Sequence, residues 1–340
     1  MGALARRGLN PWQMLAVAAA TTLSVALAAC GSTVTPAKKP VPVAFPTHSI
    51  TLIIPYANGS APDISAREEI DLASKYLHQS IVIENNDAGG SMVGLNEVQT
   101  AAPNGYTIGY ISEGVVDVVP HIVHTAFQGP QDLTPIAGTD IAPFEIFVRA
   151  SSNITTLSDL IAKAKASPGK ITVGVVNPHA IIAFDLAQLG KAAGVTFAPV
   201  ATATGAQVLG VVNGTTIAGI AQPGIVTPYV KANKLRVLAV FGHRSVPGSS
   251  APTTAALGYH LPPTATQEFF FAPPHTPRAV VDVIANALKR AVASEAFRAY
   301  VAKAGIIASY VPPTVLGSQL RTEYPEFGRL MTALGWLPTA

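Results

Sequence analysis

The sequence predicts an α/β protein built as two doubly wound lobes. Three observations carry that prediction. Short apolar runs rich in β-branched residues alternate with stretches of helical period along most of the chain. The early runs each end in a loop of small and polar residues, as strands of a parallel sheet do where they pass into a helix. Only 12% of the residues are charged and 49% are hydrophobic, with 28 glycines and 28 prolines, which suits compact lobes with many tight turns and excludes a disordered scaffold.

At the N-terminus, Arg6 and Arg7 precede an uncharged apolar run from Met14 to Ala29. It is too short and too alanine-rich for a spanning helix and fits a secretory signal over residues 1–29. It closes in Leu27-Ala28-Ala29-Cys30-Gly31, which resembles a bacterial lipobox and implies cleavage before Cys30 with lipid on its sulfur. Cys30 is the single cysteine, so the fold rests on its core without an internal disulfide. From Ser32 to Pro46 four prolines and two lysines make an extended tether, so residues 30–46 read as lipid attachment and spacer. Net charge is +3, or +1 once Arg6 and Arg7 leave with the signal, and with no basic stripe nucleic acid is not an expected partner.

The first strand is Ile50, Leu52, Ile53 and Ile54, stopped by Pro55. Asn58-Gly59-Ser60 is turn chemistry, and a helix begins near Pro62 or Asp63, aiming free N–H groups outward where an anion binds. A second strand over Ser80 to Glu84 opens into the small-residue turn from Asn85 to Ser91, with a helix behind it through Met92, Val93, Leu95 and Val98. Pro103 to Thr107 turns into a third strand, Ile108 to Ile111, ending at Ser112-Glu113-Gly114. In the second half, strands are expected near Phe144 to Val148, Ile171 to Val176, Thr196 to Val200, Ile217 to Ala221 and Leu235 to Phe241. Helices fall between them from Thr156, from Phe184 to Gly194 and from Gln207 to Val212. An extended segment at Glu268 to Ala272 returns the chain to the first lobe, and helices follow over Arg278 to Ala291, Glu295 to Ala304 and Ser318 to Leu334.

In order and spacing these segments resemble the substrate-binding proteins of tripartite tricarboxylate transporters, the Bug or TctC-like family. The family's first loop matches Pro55 to Asp63 with Ala66-Arg67 behind, and its second matches Glu84-Asn85 through Ser91 with Gly94 following. Pro103-Asn104-Gly105-Tyr106-Thr107, Asp132 to Ile136, Leu157 to Lys170, Lys234 to Val240 and Ala272 to Pro277 extend the match over almost the whole chain after the tether. The resemblance implies a type II periplasmic-binding-protein fold, two lobes joined by two crossing strands with a ligand cleft between. Residues 47–148 and 269–340 would form lobe 1 and 149–268 lobe 2, hinging near Phe147-Val148 and Phe270-Phe271. It also implies that first-loop amides and water grip a ligand carboxylate. Carried over by position, the substrate-binding residues are Ala57, Asn58, Gly59, Ser60 and Asp63, then Asn85, Gly89, Gly90, Ser91, Ser112 and Glu113, with Asn177, Thr204 and Gln222 from the second lobe. The chain departs from the family pattern at Ser60, Asn86-Asp87, Ala88, Ser91 and Glu113. An added acid beside a carboxylate site repels it by about 1 kcal/mol or more.

Other chemistries fit less well. Asp117, His121 and His124 have the spacing of three metal ligands on one helical face, but Pro120 interrupts it and no metal is expected. Ser112 before Gly114 has the look of a nucleophile elbow, yet Tyr110 stands where that elbow needs glycine and no His–acid pair completes it. No phosphate-loop string occurs, so no cofactor is expected. The sequence therefore points to a non-enzymatic, monomeric, extracytoplasmic solute-binding protein, lipid-anchored to the cell membrane, that passes a small organic acid to membrane permease subunits. The alternatives are a receptor for an amino acid or other zwitterion, with Asp87 or Glu113 meeting the amine, and a sensor-partner lipoprotein.

Overall fold

The computed structural model describes residues 45–122, 125–176, 181–203, 205–261 and 266–337. Cys30, the signal, most of the tether, His124, Asn177 and Thr204 lie outside the described residues. No described helix is long and apolar enough to cross a membrane.

The first sheet takes β1 (Ile50–Ile54), β2 (Ile81–Asn85), β3 (Thr107–Ser112) and β4 (Thr134–Ala142). The second takes β5 (Glu145–Arg149), β6 (Thr172–Val175), β7 (Ala198–Ala201), β8 (Ala218–Ala221) and β9 (Leu235–Val240). The chain then returns, and β10 (Thr266–Ala272) and β11 (Ile307–Val311) complete the first sheet. The strand orders are β11-β4-β10-β3-β1-β2 and β7-β6-β8-β5-β9. β2 and β3 run parallel to β1, and β7 and β8 parallel to β6, while β10 runs antiparallel to β3 and β4, and β5 antiparallel to β8 and β9. The two-lobed α/β architecture read from the sequence is the one observed.

The helices are α1 (Ala61–Leu77), α2 (Met92–Thr100), α3 (Glu113–Asp117), α4 (Val119–Ile122), α5 (Leu157–Ala166), α6 (Ile181–Ala193), α7 (Ala206–Asn213) and α8 (Pro223–Lys231). After the return come α9 (Arg278–Val292), α10 (Glu295–Ala304) and α11 (Pro313–Ala333). β1 is apolar on both faces because both are covered. Ile50, Leu52 and Ile54 pack with Ile70 of α1 and Ile284 and Leu288 of α9, whereas Ile53 packs with Leu95 of α2 and Leu320 of α11. The aromatic run of β10 divides the same way, Phe270 to the first layer and Phe269 and Phe271 to the second. Gly109 of β3 is where the Phe271 ring crosses the sheet, since a Cβ there would sit 2.3 Å from it. In the second lobe, Ile146, Val173 and Ile220 pack against Leu160 of α5 and Leu189 of α6. Phe147 faces the other way, onto Val211 of α7 and Val226 of α8. α5 starts on a full capping box, Thr156 accepting from the Asp159 N–H while the Asp159 carboxylate accepts from the Thr155 and Thr156 amides.

The sheets are exchanged earlier than the expected hinge positions. The first passage runs through Pro143 and Phe144, between β4 and β5. Phe147 and Val148 lie inside β5, in the middle of the second sheet, and Phe270 and Phe271 lie inside β10, paired on both sides. Proline at position 143 ends the ladder, which is why the switch falls there. Five strands and helices were not read from the sequence: β4, β11, α3, α4 and α8. β4 contains Gly138, Thr139 and Asp140, and α8 contains Pro223 and Pro228, signals that normally break an element. The end of the tether is docked, the Phe45 ring meeting Tyr106 edge-on at 5.1 Å.

The lobes meet at two seams of different texture. On one side α6 presents Phe184 to Phe327 of α11 at 5.2 Å between ring centres, and to Trp336 at 6.0 Å, with Val118 and Met331 beside them. α11 thus begins on the first sheet through Leu316 and Leu320 and ends against the second lobe, with Pro325 between the two contacts. On the other side the start of α8 lies against the end of α10. There a Cβ on Gly224 would be 2.8 Å from the Ala304 carbonyl oxygen, and one on Gly305 would be 2.8 Å from Pro223.

Candidate functional site

The loop after β1 is organised by one carboxylate. Asp63, 1% exposed in the first turn of α1, accepts from the Gly59 N–H at 2.8 Å, from Asn85 Nδ2 at 2.8 Å and from Arg67 Nε at 2.9 Å. Arg67 also donates to Asn85 Oδ1 at 2.8 Å, and Asn85 Nδ2 donates to the Tyr56 carbonyl at 3.0 Å. Burial alone would raise the Asp63 pKa, but these donors outweigh it and hold the carboxyl below its ordinary value. Ser91 closes the second loop from behind, its hydroxyl donating to the Pro55 carbonyl at 2.6 Å.

Several residues expected to touch ligand are therefore committed to loop scaffolding. Asp63, Asn85 and Ser91 hold the loops, and the Gly59 N–H is already taken by Asp63. Ala57, Asn58, Gly59, Gly89 and Gly90 are exposed at the loop surface, and Asp87 is exposed beside them. Ser60 precedes α1 with its hydroxyl buried and unpartnered. Ser112 caps the start of α3, and its N–H donates to the Tyr56 hydroxyl at 2.8 Å. Glu113 is turned inward beneath α11, 4% exposed, so neither acid expected to meet an amine borders the cavity described next.

That cavity, about 420 Å³, is lined by both lobes. Two helices begin at it. Ala61 and Pro62 bring the first turn of α1, and Gln222 and Gly224 bring the first turn of α8 from the opposite lobe. Both helices carry proline at the start, and their first-turn N–H groups have no intrahelical acceptor. The two positive helix ends thus converge on one space. Gln222 is the residue of the sequence-derived set that lines it among the described residues.

The floor has the opposite polarity. Asp140 of β4 and Glu268 of β10 line the cavity, both buried, and each keeps one carboxylate oxygen without a partner. Asp140 accepts from Ser65 Oγ at 2.6 Å and from the Tyr110 hydroxyl at 3.3 Å, with buried Glu69 behind Ser65. Burial raises all three carboxyls, Glu69 and Glu268 well above the ordinary range, and the Asp140 charge adds to the rise in both. Lys303, exposed at the rim, is the cation among the described lining residues. Sequence reasoning missed both floor acids. The available signal was a lone acid in an apolar strand, at Asp140 between Ile136 and Ile141 and at Glu268 ahead of three phenylalanines.

The sequence model described as "Tripartite tricarboxylate transporter family receptor" matches residues 65–319. The "UPF0065 protein in gbd 5'region" of Cupriavidus necator is 30% identical over 283 residues, covering 83% of this chain and 85% of that one. The ligand-free crystal structure of a TctC solute-binding protein from Polaromonas superposes with a TM-score of 0.75 at 21% identity, covering 85% of this chain and 99% of that one. An R. palustris protein solved with adipate gives 0.74 at 22% identity, over 87% of this chain and 100% of its own. At these identities the two structures speak for the fold.

Proposed function

The chain belongs to the tripartite tricarboxylate transporter receptor family, a family of extracytoplasmic binding proteins, and on that footing we propose that its inter-lobe cavity captures a small organic acid for delivery to the transporter's membrane subunits. The observation that carries the reading is the convergence of the α1 and α8 N-termini, one from each lobe, on a single cavity. A carboxylate placed between them gains N–H donors and two favourable dipoles without a cationic side chain. The R. palustris neighbour holding adipate is in keeping with a carboxylate ligand. The role is binding, with no group assigned to catalysis.

The acid floor favours one refinement, an organic acid that also carries a protonated amine. Unpartnered buried carboxylates beneath a positive rim suit a ligand with both charges, the ammonium meeting Asp140 and Glu268. In this reading Cys30 serves as the lipid attachment point and residues 30–46 as the tether from the membrane.

A thermal-shift screen of dicarboxylates, hydroxy acids and amino acids tests the function. At one hundred times Kd a ligand stabilises by about 2.7 kcal/mol, and no shift with any organic acid at millimolar concentration overturns the reading. A shift with amino acids and not with plain dicarboxylates selects the refinement.

A further inference from the structure

A second group of acids, outside the cavity, has a different form. Glu113 and Asp117 stand one helical turn apart on α3, and Glu323 comes from α11, which packs over them. One carboxylate oxygen from each lies within 4.8 Å of the other two. Asp117 is 0% exposed and neither of its oxygens has a hydrogen-bond partner, while Glu113 and Glu323 each keep a buried oxygen unpartnered as well. The ion pairs among the described residues are Arg67–Asp63, Lys75–Asp71 and Arg278–Asp282, so no basic side chain balances this group. A wholly buried carboxylate with both oxygens vacant is an expensive arrangement unless something positive sits against it.

We propose that Glu113, Asp117 and Glu323 hold one hard divalent cation, calcium, which ties α11 to α3. The donor set is all oxygen, the chemistry of calcium rather than zinc. The nearby imidazole is engaged elsewhere: His121 hydrogen-bonds the Tyr324 carbonyl through Nε2 at 3.0 Å and stacks on the Tyr324 ring. Asp117 belongs to a spacing from which the sequence gives no metal expectation, and its partners in this group are acids rather than histidines. The contrast with the cavity floor separates the two acid groups. Asp140 and Glu268 border a space of about 420 Å³, room for an organic ligand, whereas the Glu113–Asp117–Glu323 oxygens close to a separation that fits a single ion. Glu323 is half-buried and gives the ion its route from solvent, and water completes the coordination.

The test is isothermal titration of the chelator-stripped full chain with calcium chloride at neutral pH, alongside Asp117→Asn and Glu323→Gln. One site per chain is expected, with affinity at least tenfold weaker in each variant and a calcium-dependent rise in Tm confined to the wild type. Glu323→Gln is half-buried and tolerable to the fold, so it keeps the test valid if Asp117→Asn unfolds. Absence of binding at 10 times the concentration of extracellular-type sites, which lie on the order of 10⁻³ M, overturns the proposal and leaves the acids neutralised by protons. Binding that is unchanged in both variants overturns it equally, since the ion then sits elsewhere.

Discussion

Asp63→Asn removes one charge from the first loop while keeping its shape. In the folded chain the carboxylate receives the Gly59 N–H at 2.8 Å, Asn85 Nδ2 at 2.8 Å and Arg67 Nε at 2.9 Å. Hydrogen bonds to a charged acceptor contribute about 1.5–3 kcal/mol each. Two effects reduce the sum. The Arg67 side chain is 41% exposed and rehydrates in the variant, and the asparagine oxygen retains one of the bonds. What remains is one amide turned donor against donor and a lost buried charge, about 2–3 kcal/mol of folding stability. That corresponds to a Tm lower by about 3–5 °C for a chain of this size. The sign with pH is fixed by the depressed pKa of Asp63. Its contribution is present above the unfolded value of about 3.9 and is lost as pH falls through the folded value, so the gap between wild type and variant narrows in acid. Urea denaturation followed by circular dichroism at neutral and acidic pH measures both. A variant within about 0.5 kcal/mol of wild type at neutral pH would refute the reasoning that this carboxylate builds the loop.

Three further outcomes are expected. Glu268→Gln flattens the pH dependence of stability: the folded pKa is raised by burial and by Asp140, so wild-type stability is fullest below the unfolded value of about 4.3 and declines as pH rises through the folded one. An unchanged slope in denaturation experiments across pH 5–8 would mean Glu268 does not titrate as described. Phe184→Ala costs about 3–5 kcal/mol and speeds hydrogen exchange in α11 beyond Pro325; unaltered exchange there would show that the aromatic seam does not anchor the helix. Cys30→Ala leaves the signal uncleaved by the lipoprotein peptidase or releases soluble protein, and mass spectrometry finding an unmodified Cys30 in the wild type would remove the lipid from the account.

The lobes were legible because their strands are short, apolar and β-branched, and because each early strand ends in turn chemistry. Elements failed to register where local composition and tertiary role disagree. α8 is helical despite Pro228 because Val226 is held in the second-lobe core, and β4 is a strand despite Gly138 and Asp140 because it lies between β10 and β11. The site was legible as a place rather than as a set of contacts. Order along the chain brought the loops of Gly59, Asn85 and Ser91 to one edge, but it could not tell a ligand donor from a bond that braces the loop. Gly59 is such a case, its N–H spent on Asp63. Nor could spacing find the floor, since Asp140 and Glu268 are far apart in sequence and become neighbours only when β10 returns beside β4, with Glu268 paired to Asp140.

The unequal seams give the receptor a front and a back. Interlocked rings at Phe184, Phe327 and Trp336 resist separation, because parting them exposes aromatic surface to water. The opposite seam brings Gly224 against the Ala304 carbonyl and the Pro223 ring against Gly305, with Arg244 donating to Ser309 Oγ at 3.1 Å across the lobes, and Gly224 and Ala304 also border the cavity. The aromatic surface that parting the lobes would expose therefore lies on one side of the molecule only. A single methyl at the opposite seam, Gly224→Ala, would act as a doorstop on the cavity wall: it would sit 2.8 Å from the Ala304 carbonyl oxygen, so the seam would have to open to admit it.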